Sequence, residues 1–90
     1  MPRLVRTFAV VNTLGLHARA AAQLVQAANR YRSEVLVEKD GMEVNGKSIM
    51  GVLTLAAAKG SLITVSVEGD DSEQALDTLA QIIESGFGER

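Results

Sequence analysis

The only histidine of the chain, His17, stands two residues before Arg19, where a strand-like pattern gives way to a helix-like one. An imidazole at a helix start lies beside free main-chain N–H groups, which attract anions. The helix dipole there disfavours imidazolium, so we expect a neutral, nucleophilic ring. The Arg19 guanidinium suits phosphate oxygens. The pattern indicates a histidine that can accept and hold a phosphoryl group; the alternative is a surface histidine and a solvated arginine.

A second group of candidate residues surrounds a short helix predicted over 47–53. Ser48 lies near its start, where serine commonly caps the helix, and where a phosphoryl group would also suit the helix dipole. Ile49, Met50 and Leu53 fall on one side of this helix. They could belong to the core or, since methionine adapts to varied partners, to a protein-binding surface. The sequence leaves both choices open.

The segment 41–48 formally matches the Walker A pattern of nucleotide-binding proteins. We reject this interpretation because the middle of the segment is strand-like and Glu43 would repel phosphate. A P-loop also needs a parallel sheet covered on both faces, which the pattern does not predict.

The surrounding elements are predicted from hydrophobic periodicity and turn signals. The first strand, with Phe8 and Val10 facing inward, leads into an amphipathic helix, and Asp40-Gly41 favours a hairpin. Gly86 should stop the last helix, which Asp71 or Ser72 should cap. The predicted strands cover 4–11, 34–38, 42–44 and 62–67. The predicted helices cover 18–29, 47–53 and a final stretch that follows the cap at 71 or 72 and ends before Gly86. The order βαββαβα predicts an α+β fold with helices on one face of a mainly antiparallel sheet.

Composition narrows the function classes. The 90 residues suffice for one domain, and with no cysteine there are no disulfides or thiolate metal sites. No apolar run could cross a membrane and no signal peptide is visible, so we expect a cytoplasmic protein. A net charge of −2 and 3% aromatic residues argue against nucleic-acid binding. Arginines cluster in the first third, which could give a positive patch around His17 or only a solvated face.

The motifs together resemble those of HPr, the histidine-containing phosphocarrier family of the bacterial phosphotransferase system. The resemblance covers the whole chain, 1–90, as a single HPr-like domain, and is carried by the stretches 15–19, 45–53 and 58–60. It implies an open-faced β-sandwich in which three helices cover one face of a four-stranded antiparallel sheet. It also implies a carrier rather than an enzyme, with no cofactor and no metal.

The resemblance further implies roles for individual residues. Enzyme I would pass a phosphoryl group to Nδ1 of His17, and an IIA protein or domain would then take it. The amides of Ala18 and Arg19 and the Arg19 side chain would hold the phosphoryl oxygens. Ser48 would be modified by an HPr kinase/phosphorylase. Successive partners would dock on an apolar patch that consists of Leu16, Ile49, Met50 and Leu53.

One residue departs from the family pattern, which usually has proline where this chain has Ala20. Proline would pre-set the first helical turn, so we expect a slightly less rigid helix start and intact chemistry. The stretches 14–15 and 85–87 are similar to NPr, the nitrogen-related branch, which leaves both the sugar-uptake and the nitrogen branch open. Two other function classes are a regulatory binding module controlled through Ser48 and a small-molecule-binding sandwich. We expect a monomer.

Overall fold

The computed structural model describes residues 3–89, so Met1 and Pro2, on which part of the signal-peptide expectation rests, lie outside it. It contains four strands and three α-helices in the predicted βαββαβα order. The elements are β1 (Arg3–Ala9), α1 (Ala18–Ala28), β2 (Glu34–Lys39), β3 (Met42–Asn45), α2 (Ile49–Thr54), β4 (Leu62–Glu68) and α3 (Ser72–Glu84). A short 3₁₀ turn, Gly86–Gly88, follows and was not predicted.

The strands form one antiparallel sheet in the order β1-β4-β2-β3. β4 pairs with β1 and β2, while β2 and β3 form the predicted hairpin. Both turn residues of that hairpin, Asp40 and Gly41, have positive φ, as a two-residue turn between twisted strands requires. Because β3 pairs with β2 through the middle of the segment 41–48, that segment is not a phosphate-wrapping loop.

The core lies between the sheet and the helices. Alternate residues of β4, Ile63, Val65 and Val67, are buried as predicted, and so are Phe8 and Val10. α1 packs between α2 and α3, while α3 also contacts β1 and β4. The α+β open-faced sandwich is therefore confirmed. The alanines on the buried side of α1 allow this close helix packing.

Several predicted boundaries shift. β1 ends at Ala9, because Val10 bonds instead to the loop residue Ser61, with its N–H 2.9 Å from the carbonyl oxygen. The second helix begins at Ile49 rather than at Lys47, since Ser48 has extended backbone angles.

Asp71 occupies the N-cap position of α3, but its side chain does not cap the helix. It accepts hydrogen bonds from the N–H of Arg32, the N–H of Ser33 and the hydroxyl of Ser33. These bonds lower the pKa of Asp71, the Ser33 hydroxyl most strongly, with burial opposing them. The carboxylate therefore joins the start of β2 to the start of α3.

No helix within residues 3–89 is both long enough and apolar enough to cross a membrane.

Candidate functional site

His17 is the N-cap residue of α1, as its position in the sequence predicts. Its backbone is extended (φ −73°, ψ 177°), and its carbonyl accepts the first helical hydrogen bond, from the Ala21 N–H at 2.8 Å. The ring nitrogen Nδ1 accepts a hydrogen bond from the Arg19 N–H at 3.3 Å. The side chain is 32% exposed. The imidazole therefore lies at the surface, with Nδ1 next to the first amides of a helix.

The amides at the start of α1 are suited to an anion. Among residues 3–89, the Ala18 N–H has no hydrogen-bond acceptor, and the Arg19 N–H is engaged only by the ring nitrogen itself. A group bonded to Nδ1 would displace the hydrogen bond from the Arg19 N–H to the ring. Its oxygens would then be within reach of both the Ala18 and the Arg19 amides. The Arg19 side chain is exposed and forms no ion pair within the described part of the chain. Its guanidinium is therefore available to the same anion.

The loop before His17 is held from two sides. The side-chain amide of the buried Asn12 donates to the Gly15 carbonyl at 2.8 Å, and the Leu16 N–H donates to the Ala57 carbonyl at 2.8 Å. Gly15 has φ +65°, and a Cβ there would lie 2.3 Å from the Ala57 oxygen. Only glycine combines this backbone angle with this approach. The loop thus fixes where α1 begins.

Glu89 is the site residue that sequence reasoning missed. One carboxylate oxygen lies 3.5 Å from Nε2 of His17 and 3.1 Å from the side-chain nitrogen of Asn12. The other accepts a hydrogen bond from the Leu14 N–H at 3.0 Å. The Asn12 bond contributes most to lowering the pKa of Glu89; burial opposes it, while the Leu14 amide and the neighbouring His17 lower it further. The carboxylate is therefore ionised and braced beside the ring.

The chain reaches this position through an unusual turn after α3. Gly86, Phe87 and Gly88 all have positive φ, at 68°, 59° and 70°. Phenylalanine rarely adopts this conformation, and here its buried side chain, 6% exposed, anchors the turn in the core. The isolated phenylalanine between two glycines is the one sequence signal that the chain turns back, whereas sequence reasoning assigned Gly86 only the role of a helix stop.

Glu89 also alters the expected charge around His17. The positive patch was expected from the arginines in the first third of the sequence, but two of these, Arg3 and Arg6, pair with Glu43 and Glu84, at 3.5 Å and 3.0 Å. The only charged side chain that pairs with His17 within residues 3–89 is an acid. The arginine-rich first third of the sequence does not translate into a uniformly basic site.

Ser48 is the N-cap residue of α2, as predicted. Its hydroxyl oxygen accepts a hydrogen bond from the Gly51 N–H at 3.0 Å, and the residue is partly exposed. The hydroxyl therefore already serves the capping role while remaining accessible from solvent.

The predicted docking residues separate into two groups. Met50 is 73% exposed and Ile49 40%, so both present apolar surface on α2, next to the partly buried Leu53. Leu16 is only 4% exposed and belongs to the core. Its assignment to the docking patch is therefore corrected: the bond from Leu16 to Ala57 draws this segment inward, so the side chain packs inside.

The structure offers little for a metal ion or a bound small molecule at His17. Residues 3–89 contain no cluster of three potential metal-ligating side chains. An open concavity of about 500 Å³ is lined by Leu4, Arg32 and the segment 69–74, and it does not include His17. His17 is partly exposed at the surface, outside this concavity.

Comparisons with known proteins agree on one family. Residues 4–85 match the family described as the PTS HPr component phosphorylation site. The phosphocarrier protein HPr of Cupriavidus necator is 45% identical over 86 residues, which are 96% of this chain and 97% of that protein. An HPr crystal structure from Thermoanaerobacter tengcongensis has a TM-score of 0.91 at 46% identity, covering 100% of this chain and 99% of the other. An HPr dimer from the same organism has a TM-score of 0.78 at 48% identity, covering 91% and 94%.

Proposed function

The chain belongs to the HPr family of phosphocarrier proteins of the phosphotransferase system, and we propose that it carries its phosphoryl group on Nδ1 of His17. Phosphorylated enzyme I is the donor, and IIA proteins or domains are the acceptors. The observation that supports this proposal is the hydrogen bond from the Arg19 N–H to Nδ1, because it requires a lone pair on this nitrogen, directed at the helix start. As a member of this family, the chain is a carrier and not an enzyme.

In the proposed transfer, the lone pair of Nδ1 attacks phosphorus while the bond from phosphorus to the donor breaks, leaving its electron pair on the donor. Delivery to the acceptor reverses the step at His17. The Ala18 and Arg19 amides and the Arg19 guanidinium hold the phosphoryl oxygens, since helix amides and arginine both favour a dianion. Their contacts strengthen as negative charge gathers on the moving group.

Partners dock on the exposed side of α2, through Ile49, Met50 and the exposed part of Leu53. Two observations support this proposal. Ile49 and Met50 expose apolar side chains on α2, and α2 packs against α1, the helix that His17 caps. A surface that serves several partners benefits from flexible methionine.

Ser48 is the proposed site of regulatory phosphorylation by an HPr kinase/phosphorylase. The partial exposure of Ser48 and its place beside Ile49 support this, since a dianion there would border the docking surface. Ser48→Asp should therefore weaken binding of a partner, measured by calorimetry, whereas Thr54→Asp, at the other end of α2, should weaken it less. Equal effects would contradict a specific role for Ser48.

The protein is proposed to act in the cytoplasm, as one HPr-like domain spanning 1–90 and as a monomer. Light scattering at micromolar concentration checks that it is a monomer. Transfer to IIA proteins of sugar permeases or to a nitrogen-related IIA protein, measured side by side, decides the branch.

Incubation with enzyme I and phosphoenolpyruvate tests the main proposal. The chain should gain one phosphate that is labile in acid and stable in base, as expected of phosphohistidine. His17→Ala should gain none, while the control Ser48→Ala should be labelled like the natural sequence. Phosphate on His17→Ala, or its absence from the natural chain, would refute the assignment.

A further inference from the structure

The Glu89 carboxylate lies next to Nε2 of His17, the ring nitrogen that is not proposed to accept the phosphoryl group. It lies 3.5 Å from Nε2, whereas the Arg19 N–H contacts Nδ1. It is held there by the buried Asn12 side chain and by the Leu14 amide. Both braces belong to the loop that positions His17, so the carboxylate and the ring are fixed against the same segment.

These two contacts together favour one tautomer of the neutral ring. A main-chain N–H can donate only to a ring nitrogen that has a lone pair, so the contact from Arg19 favours the form in which Nδ1 is unprotonated. The ring proton is then on Nε2 and faces a carboxylate, which can only accept. The nitrogen that must attack phosphorus is thus the one whose lone pair is free for reaction.

We propose that Glu89 is a positioning residue for phosphoryl transfer, which fixes the Nε2–H form of His17 and offsets the positive charge that the ring gains when Nδ1 bonds to phosphorus. This inference rests on the proposed function. The ionised state of the braced carboxylate, which follows from its lowered pKa, is consistent with both tasks.

The Nδ1 lone pair forms the bond to phosphorus, the donor keeps the electrons of the bond that breaks, and the proton stays on Nε2. The ring becomes a cation, and its charge is shared with Glu89 across Nε2. When the acceptor takes the phosphoryl group, the electron pair of the broken bond returns to Nδ1 and the ring is neutral again. No proton has to leave the site in either direction.

The test compares Glu89→Gln with the matched control Glu84→Gln. Glu84 is an exposed glutamate that pairs with Arg6 at 3.0 Å, so its change removes the same charge without touching His17. In Glu89→Gln the remaining oxygen can accept from the Leu14 N–H, while the NH₂ group replaces the oxygen that faces both Asn12 and Nε2. The Asn12 bond is then lost, and a donor facing Nε2 favours the other tautomer, with the proton on Nδ1.

Two measurements are made on each protein. The ¹⁵N chemical shifts of the His17 ring nitrogens report the tautomer without any phosphoryl chemistry. The rate of phosphorylation by phosphoramidate, a small donor that cannot dock on α2, reports the reactivity of Nδ1. In Glu89→Gln we expect protonation to shift from Nε2 towards Nδ1, and the rate to fall about fivefold, the scale of a partly exposed ion pair. The control, Glu84→Gln, should match the natural chain in both the ring shifts and the phosphorylation rate.

If the ring shifts stay unchanged in Glu89→Gln, or if the rate is unchanged or rises, the inference is overturned. A rise would mean that the carboxylate mainly repels the incoming phosphoryl group. Failure of the proposed function is separate: it would show as a lack of labelling by enzyme I, while the ring shifts and the phosphoramidate reaction would still decide the role of Glu89.

Discussion

The Leu16 N–H donates a 2.8 Å hydrogen bond to the Ala57 carbonyl, and this bond ties the residue before His17 to the connector between α2 and β4. Gly15 allows the two backbones to approach this closely. The position of the candidate phosphoryl acceptor therefore depends on a contact between parts of the chain that are distant in sequence. The importance of this contact can be tested by substituting Gly15.

Gly15→Ala should destabilise the protein and reduce phosphorylation at His17. The added Cβ meets the Ala57 oxygen at 2.3 Å in a backbone with positive φ, so we expect a loss of at least about 2 kcal/mol in the free energy of unfolding. Gly60→Ala is the control, because Gly60 also has positive φ but an added methyl group there would meet nothing within 4 Å. It should cost only about 1 kcal/mol. Urea unfolding checks both, and equal losses would show that the Ala57 contact is unimportant.

Arg19→Ala should slow phosphoryl transfer from enzyme I by about one to two orders of magnitude while changing the affinity for enzyme I much less. The reason is that the guanidinium contacts charge that develops during transfer. Arg30→Ala, which removes an exposed arginine just beyond the end of α1, is the control. Single-turnover rates and calorimetry separate the two quantities. Equal loss of rate and affinity would assign Arg19 to docking instead.

Met50→Ala should weaken the binding of partners rather than slow the transfer step itself. A side chain with 73% exposure contributes little to the core, so the free energy of unfolding should change by less than about 0.5 kcal/mol. If Met50 is an anchor for partners, the free energy of binding should weaken by up to about 2 kcal/mol, measured by calorimetry. Met42→Ala provides the control, since Met42 is exposed on β3 and outside α2. Unchanged binding of enzyme I and IIA proteins to Met50→Ala would remove α2 from the docking surface.

Asp71→Asn should lower stability near neutral pH and lose this effect in acid. The pKa of Asp71 is lowered by folding, so its contribution is present above the unfolded value of about 4 and disappears as the pH falls through the folded value. The difference in unfolding free energy between the natural chain and Asp71→Asn should therefore shrink below about pH 4. Asp70→Asn is the control, because Asp70 makes no side-chain hydrogen bond within residues 3–89. A difference that is independent of pH would contradict this account.

Much of the site was predictable because the relevant signals are local. The alternation of Ile63, Val65 and Val67 predicted a strand with one buried face, and the transition at His17 predicted the start of α1. The Ser48 cap follows in the same way, since a cap acts across only three residues. Helix periodicity, turns and caps operate over short stretches of chain, so the residue order alone was sufficient.

The tertiary structure decided what these local rules do not reach. It buried Leu16, which sequence reasoning assigned to the surface, and it used Asp71 to join β2 to α3 instead of capping the helix. It also brought Glu89 to Asn12, 77 positions away in the chain, and so placed a carboxylate beside His17. Contacts at that separation depend on how α3 packs on the sheet and on the left-handed turn that follows it, and neither follows from a local pattern.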